Sequence, residues 1–308
     1  MGHIGVVLNA SSGQGTSGEA ADRLQDIFTA AGREARITLA TGGSKISSAM
    51  RREVADGCET LIAGGGDGTI STGAAAVLDH GIPLGVLPLG TLNHFAKDLG
   101  LPLDLEEAVK VVLEGVVCRV DVGELNGRVF LNNSSLGVYP AIVRLRERYR
   151  TRIGGKWIAA LWAALTVLRR NPFMAVRIVV EEKTIIRRTP LLLVANNEYR
   201  MIGIHAASRE SLAKGTLALY VLNADQRPGL LRLAGQLLIR GGDQVEELDL
   251  LTVDEATVET RRPRLQVALD GEVVAMSSPL EYRIRPEALR VHMPVEGSAC
   301  YPHPPRPS

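Results

Sequence analysis

Three scarcities narrow the chain before any motif does. Cysteine is scarce: the 308 residues hold only Cys58, Cys118 and Cys300, odd in number and widely spaced. They make no C-x-x-C pair, so neither a disulfide framework nor a zinc site is expected, and a reducing cytoplasm fits. Charge of one sign is scarce as well: 35 Lys+Arg against 34 Asp+Glu leave +1, so no global field argues for nucleic acid. Long apolar runs are missing too. The longest, Ile158 to Leu168, falls far short of the ~20 residues that a membrane span needs. The opening "MGHIGVVLNA" has no basic stretch followed by a long apolar one, so no signal peptide is read. What is there is ordinary hydrophobic content, 45%, in a chain long enough for two domains. The expected place is the cytoplasm, at most peripheral at the inner membrane face. No internal repeat is visible.

The first part alternates strand and helix patterns. "HIGVVLN", "EARITLAT", "CETLIAGGG" and "PLGVLPLG" read as strands. Between and after them, "SGEAADRLQDIFTAAG", "SKISSAMRREVADG", "GTISTGAAAVLDHG" and "DLEEAVKVVLEG" read as helices. Such alternation implies a mainly parallel sheet, and ligands of such sheets bind beyond the carboxyl ends of the strands. Asn9, Thr41, the Gly64–Thr69 loop and Gly90–Thr91 all fall at such ends. After Asp121 the rhythm becomes antiparallel β, opening with a hairpin around Asn126–Gly127. The expected fold class is therefore an α/β domain over residues 1–120, then an antiparallel β-sandwich domain over 121–297. Helical inserts are expected at Lys156–Arg170 and Gly229–Arg240, and a disordered proline-rich tail over 298–308.

The run "AGGGDGTIST" after the third strand carries the chemistry. A strand, a glycine loop and a helix start place backbone N–H groups and a helix dipole where a phosphate can dock. A tight strand-to-helix turn would explain the loop about as well. The spacing is not G-x-G-x-x-G, and the lysine of the common phosphate loop is absent. "LPLGTLNHFAKDLGLP" repeats a Gly–Thr at Gly90–Thr91 and adds Asn93, and "LNASSGQG" follows the first strand. Late in the chain, "ALDGE" places Asp270 at a turn with Glu272 two residues on. Asp–Gly is a frequent hairpin turn by itself.

"GGGDGT", "PLGTLNHFA" and the late "DGE" together resemble the diacylglycerol kinase catalytic domain family, which includes bacterial lipid kinases and sphingosine kinases. The resemblance runs from "LNASSG" through "FLNNSSLG" to "ALDGE". It implies ATP-dependent phosphorylation of a lipid hydroxyl, with the nucleotide between an α/β domain and a β-sandwich. It implies nucleotide contacts at Asn9, Ala10, Ser11, Ser12, Gly13, Thr41, Gly65, Gly66, Asp67, Gly68, Thr69, Ile70, Ser71, Gly90, Thr91 and Asn93. Asp270 is implied as the general base, Glu272 as its neighbour, and Asp67 as the residue that helps hold Mg²⁺ with ATP. The chain departs from the pattern at Ala10, where proline is usual, at Ser71–Thr72, where Asn–Glu is common, and at His94, where an aspartate is common. Lys214–Gly215 stands where bacterial relatives carry Asp–Gly near a structural Mg²⁺, so that second metal is not expected. His94 is read as shaping structure or substrate.

Arg144, Arg146, Arg148, Arg150, Arg152, Arg169 and Arg170 flank an apolar stretch with Trp157 and Trp162. Basic edges with tryptophan suit an anionic membrane surface, and a helix packed on the sandwich suits them too. The apolar insert "GLLRLAGQLLIRGG" adds to the case for a lipid substrate. Two other functions stay open: a soluble kinase of the NAD kinase type, which shares the glycine loop, and a non-catalytic nucleotide or lipid sensor. Nothing decides between a monomer and a homodimer.

Overall fold

The computed structural model describes residues 2–12, 17–137, 173–202, 206–209, 211–222 and 248–295. Gly13, the basic tryptophan-bearing segment, the insert at Gly229–Arg240 and the tail lie outside the described residues. The chain divides into two units, Met1–Val122 with the returning Pro286–Ser308, and Gly123–Arg285.

The first unit is an α/β layer structure, as the alternating patterns predict. Its strands are β1 (Ile4–Asn9), β2 (Ala35–Ala40), β3 (Thr60–Gly65) and β4 (Leu84–Pro88). Its helices are α1 (Ser17–Ala30), α2 (Gly43–Ala55), α3 (Asp67–Val77), α4 (His94–Asp98) and α5 (Leu105–Glu114). The strands pair in parallel in the order β2-β1-β3-β4. The chain thus leaves β1 toward one edge and β3 toward the other, which makes a switch point at their carboxyl ends. Phe28 and Leu24 of α1 and Val109 and Val112 of α5 pack with Val6, Leu8, Ile62 and Leu87 of the sheet in one apolar cluster. A Cβ on Gly73 of α3 would lie 2.8 Å from that of Ala63, so α3 rides directly on β3. Asp104 caps α5 by accepting from the N–H groups of Glu106 (3.0 Å) and Glu107 (3.1 Å). Cys58 is a buried free thiol whose pKa burial and the nearby Glu53 push up to about 11. Cys118 is disulfide-bonded, which the cysteine spacing did not suggest, because distance along the chain says nothing of proximity in the fold.

The second unit is antiparallel β. The strands β5 (Val116–Leu125) and β18 (Leu280–Met293) run through both units. Between them come β6 (Arg128–Phe130), β7 (Asn133–Gly137), β8 (Met174–Val180), β9 (Lys183–Thr189), β10 (Leu191–Asn196), β11 (Tyr199–Ile202), β12 (Ala206–Arg209), β13 (Leu217–Leu222), β14 (Leu248–Val253), β15 (Glu255–Thr260), β16 (Arg264–Leu269) and β17 (Glu272–Ser277). One sheet runs β14-β13-β10-β7-β16-β17, and β11 and β12 form a hairpin of their own. β15 joins β8 and β18 in a second layer. Leu136, Val194, Leu219 and Val267 of the first layer pack with Val176, Ile178, Val258 and Tyr282 of the second in one core. Within it Phe130 meets Tyr282 edge-on, with centroids 6.5 Å apart. Two hairpins close on paired left-handed residues, Asn126 (φ 47) with Gly127 (φ 77) and Asp270 (φ 45) with Gly271 (φ 86). That is the type I′ geometry that Asn–Gly and Asp–Gly favour. The stretch Pro286–Met293 ends beside the first unit's sheet, where Val291 pairs in parallel with Leu84. Among the described residues no helix is long and apolar enough to cross a membrane.

Candidate active site

In the first unit the glycine loops meet back to back. Gly66 caps α3 and Gly90 follows β4, and a Cβ on Gly90 would stand 2.5 Å from the Cα of Gly66. Only bare main chain fits there. The loops are stitched by Leu89 N–H, which donates to Gly65 O (3.1 Å), and by Phe95 N–H, which donates to the Asp67 carboxylate (3.2 Å). Asn93, left-handed at φ 51 and buried, uses its amide on the second loop itself. Its Oδ1 accepts from Gly90 N–H (3.0 Å), and its Nδ2 donates to Pro88 O (3.1 Å) and Gly90 O (3.0 Å). Asn9 ties in the loop after β1: its Nδ2 donates to Thr69 Oγ1 (3.3 Å) and its Oδ1 accepts from Ser11 N–H (3.0 Å). Ser12 N–H turns back to Asn9 O (2.9 Å), and Ala10 N–H donates to Ala40 O (2.9 Å).

The loops after β1, β3 and β4 therefore gather Asn9, Gly65–Thr69 and Gly90–Asn93 at the carboxyl edge of one sheet. Helix α3 points its amino end there, where its dipole favours an anion. The side chain of Ile70 is buried in the core, so only its backbone faces the loop. Ser71 is half-buried at the start of the second turn of α3. Ser11, Thr41 and Thr91 are exposed at the same edge, and His94 is exposed at the start of α4.

The second unit places Asp270 in a clamp. One carboxylate oxygen, Oδ2, accepts from Leu131 N–H (2.8 Å). The other, Oδ1, accepts from Asn132 N–H (2.8 Å) and Asn133 N–H (3.0 Å). Asp270 N–H donates in turn to Asn133 O (2.9 Å). Glu272 is exposed and pairs with Leu269 across the turn. Beside the clamp lie residues the motifs did not single out. Asn196 Nδ2 donates to Leu131 O (2.9 Å). Arg209 is buried and donates to Leu131 O (2.6 Å), Asn196 O (3.0 Å) and Asn132 Oδ1 (3.1 Å). "FLNNSS" was the visible signal for the first partner; Arg209, in a hairpin with no alternating pattern, left none.

A magnesium ion that arrives with a nucleotide keeps several waters, takes phosphate oxygens and needs one or two carboxylates. Asp67, the first residue of α3 beside the glycine loops, fits that demand. A cage made wholly of protein ligands has no counterpart: among the described residues no three His, Cys, Asp or Glu side chains are grouped to hold a metal. Lys214 is exposed, with its N–H donating to Asn197 Oδ1 (3.2 Å).

Residues 3–125 match the model of the diacylglycerol kinase catalytic domain, and residues 135–293 that of the YegS C-terminal NAD kinase beta sandwich-like domain. A probable lipid kinase YegS-like of Pseudomonas aeruginosa is 31% identical over 283 residues, 90% of this chain and 90% of that one. The uncharacterized protein sll0036 of Synechocystis is 26% identical over 259 residues; this chain is covered to 82%, and spans 59% of that protein's length. A solved structure from Bacillus anthracis str. Sterne, provisionally named a diacylglycerol kinase, is 21% identical with a TM-score of 0.75. It is covered to 97%, against 94% of this chain, and at that identity the likeness establishes the fold.

Proposed function

The chain belongs to the diacylglycerol kinase catalytic domain family, and from that membership we propose that it transfers the γ-phosphate of ATP to a hydroxyl of a diacylglycerol-like lipid. The observation that carries this reading is the pair of side-chain-free loops at Gly66 and Gly90, sealed against each other at the carboxyl edge of a parallel sheet. Phosphoryl transfer needs positioning and charge stabilisation above all. In this reading the main chain around Gly65–Thr69 and Gly90 holds the phosphates and Asp67 steadies their counter-ion. Mg²⁺, when bound with the nucleotide, supplies neutralisation of phosphate charge. Asp270 takes the proton from the lipid hydroxyl, its carboxylate aimed by the three backbone N–H groups it accepts from. A general base contributes about 10²–10⁴-fold. The acceptor of such a reaction sits in a bilayer, so the reading includes transient contact with an anionic membrane surface.

Radiolabelled ATP with Mg²⁺, offered with a total lipid extract or with NAD, tests it. Label in an organic-soluble product is expected. Label in NADP points to the soluble dinucleotide kinase, and nucleotide binding without transfer to a sensor. Asp270→Asn is expected to lower turnover by at least ~10²-fold while ATP binding survives. Because the new amide nitrogen turns toward an N–H donor, the variant also loses about 1–3 kcal/mol of stability. Unchanged turnover removes Asp270 from the chemistry.

A further inference from the structure

We infer that Arg209 is a positioning residue for Asp270, acting through the peptide group between Leu131 and Asn132. The inference rests on the reading of Asp270 as the base. One face of that peptide, Leu131 O, accepts from Arg209 Nη1 (2.6 Å); the other, Asn132 N–H, donates to Asp270 Oδ1 (2.8 Å). A cation and an anion thus grip one peptide group from opposite ends. Each hydrogen bond in such a series polarises the next. Arg209 is only 7% exposed, so the surrounding dielectric is low; its removal takes one donor from Asn196 O and one from Leu131 O, which keeps Asn196 Nδ2.

The rest of the hydrogen-bonding supports the same geometry. Arg209 also holds Asn132 Oδ1 (3.1 Å), so its fork spans both residues of the clamped peptide. Its guanidinium lies 5.8 Å from the ring centre of Tyr199, whose hydroxyl accepts from Asn133 Nδ2 (3.1 Å). Tyr199 N–H donates to the hydroxyl of Tyr220 (3.0 Å). The β11–β12 hairpin is therefore fastened to the Leu131–Asn133 strap at three points, and the strap holds the carboxylate. A lysine can reach one of these acceptors but cannot fork across them.

The test pairs kinetics with amide hydrogen exchange on Arg209→Ala, Arg209→Lys and Asp270→Asn. Displacing a catalytic group by about an ångström costs on the order of 10²-fold in rate. Arg209→Ala is expected to lower kcat by that order while KM for ATP moves less than ~2-fold. Millimolar guanidinium is expected to restore much of the rate, Arg209→Lys to fall between, and the amides of Leu131–Asn133 to exchange faster in both variants. Should Arg209→Ala not fold, Arg209→Lys carries the test. An unchanged kcat, a loss confined to KM for ATP, or unchanged protection of those amides overturns the inference. An Asp270→Asn variant with full turnover, beside an Arg209 variant that still loosens the strap, would instead refute the base assignment and leave the clamp standing. A dead Asp270→Asn beside a fully active Arg209→Ala would do the reverse.

Discussion

Alanine at Gly66 and alanine at Gly90 should part company, and the difference measures whether a ligand nests on this main chain. A Cβ on Gly90 meets Gly66 Cα at 2.5 Å and Asn93 Oδ1 at 2.7 Å. Ordinary contact begins near 3.4 Å, so the loops must separate by 3.4 − 2.5, or 0.9 Å. Overpacking of that kind costs about 1–3 kcal/mol. A Cβ on Gly66, by contrast, meets nothing closer than Gly90 Cα at 3.6 Å, and its φ of −86 suits any residue. Folding should hardly notice it: an alanine cap in place of glycine costs about 1 kcal/mol or less. In the proposed reading a phosphate lying against the loop would notice it strongly, because the methyl group would stand between it and the main chain. Gly66→Ala is therefore expected to keep its melting temperature within a few degrees and to lose ATP affinity by at least ~10-fold, about 1.4 kcal/mol. Gly90→Ala should lose both. Calorimetric titration with Mg²⁺–ATP and thermal melts read the two quantities separately. A Gly66→Ala variant with undiminished affinity would refute the idea that the nucleotide rests on this loop.

Two further outcomes follow from the buried polar groups. His292 is kept neutral chiefly by burial, then by Arg290 and Arg33, with its pKa lowered from 6.5 to about 4. The unfolded chain therefore binds the proton first, so stability is full above 6.5 and falls as pH drops toward 4. The loss is about 2 kcal/mol by pH 5, and denaturant midpoints of the wild type and His292→Gln, compared at neutral and acid pH, should show the variant's slope flattened. In the second unit the hydroxyls of Ser134 and Tyr282 bond at 3.0 Å inside the core. Tyr282→Phe alone should cost about 1–2 kcal/mol, and adding Ser134→Ala should recover part of it, since no orphaned hydroxyl is then left; strictly additive losses would contradict this.

Much of the first unit was legible because its signals are local. Strands β1 to β4 are short apolar runs ending in Asn9, Ala40, Gly65 and Pro88, and the helices between them repeat apolar residues at helical spacing. Asn126–Gly127 and Asp270–Gly271 announce their turns by composition. Helix α4 escaped because five residues are too few to show a period. The loops of the candidate site were legible for the same reason as the strands: glycine where backbone must approach something. The clamp was not. Asp270 reaches Leu131, Asn132 and Asn133, 139, 138 and 137 positions away, and no local pattern encodes such a pairing. Arg209 was further hidden because, among the described residues, β11 and β12 pair only with each other, so neither carries the alternation of a strand in a larger sheet.

The two type I′ turns of the second unit separate what a turn requires from what Asp270 supplies. Asn126 tolerates the left-handed backbone, accepts from Glu281 N–H (2.6 Å) and donates to Pro279 O (3.2 Å). An asparagine at position 270 would make the same turn. It could not accept through both atoms of its head group, and Asp270 does: Leu131 on one oxygen, Asn132 and Asn133 on the other. The turn therefore explains the glycine and the positive φ, and the clamp explains why the residue is acidic. Proton transfer asks for a carboxylate whose direction is fixed, and the clamp fixes it. In the proposed reading turn former and base are successive demands on one side chain, and the loss of turnover in a folded Asp270→Asn variant distinguishes a carboxylate that merely ties the strap from one that also reacts.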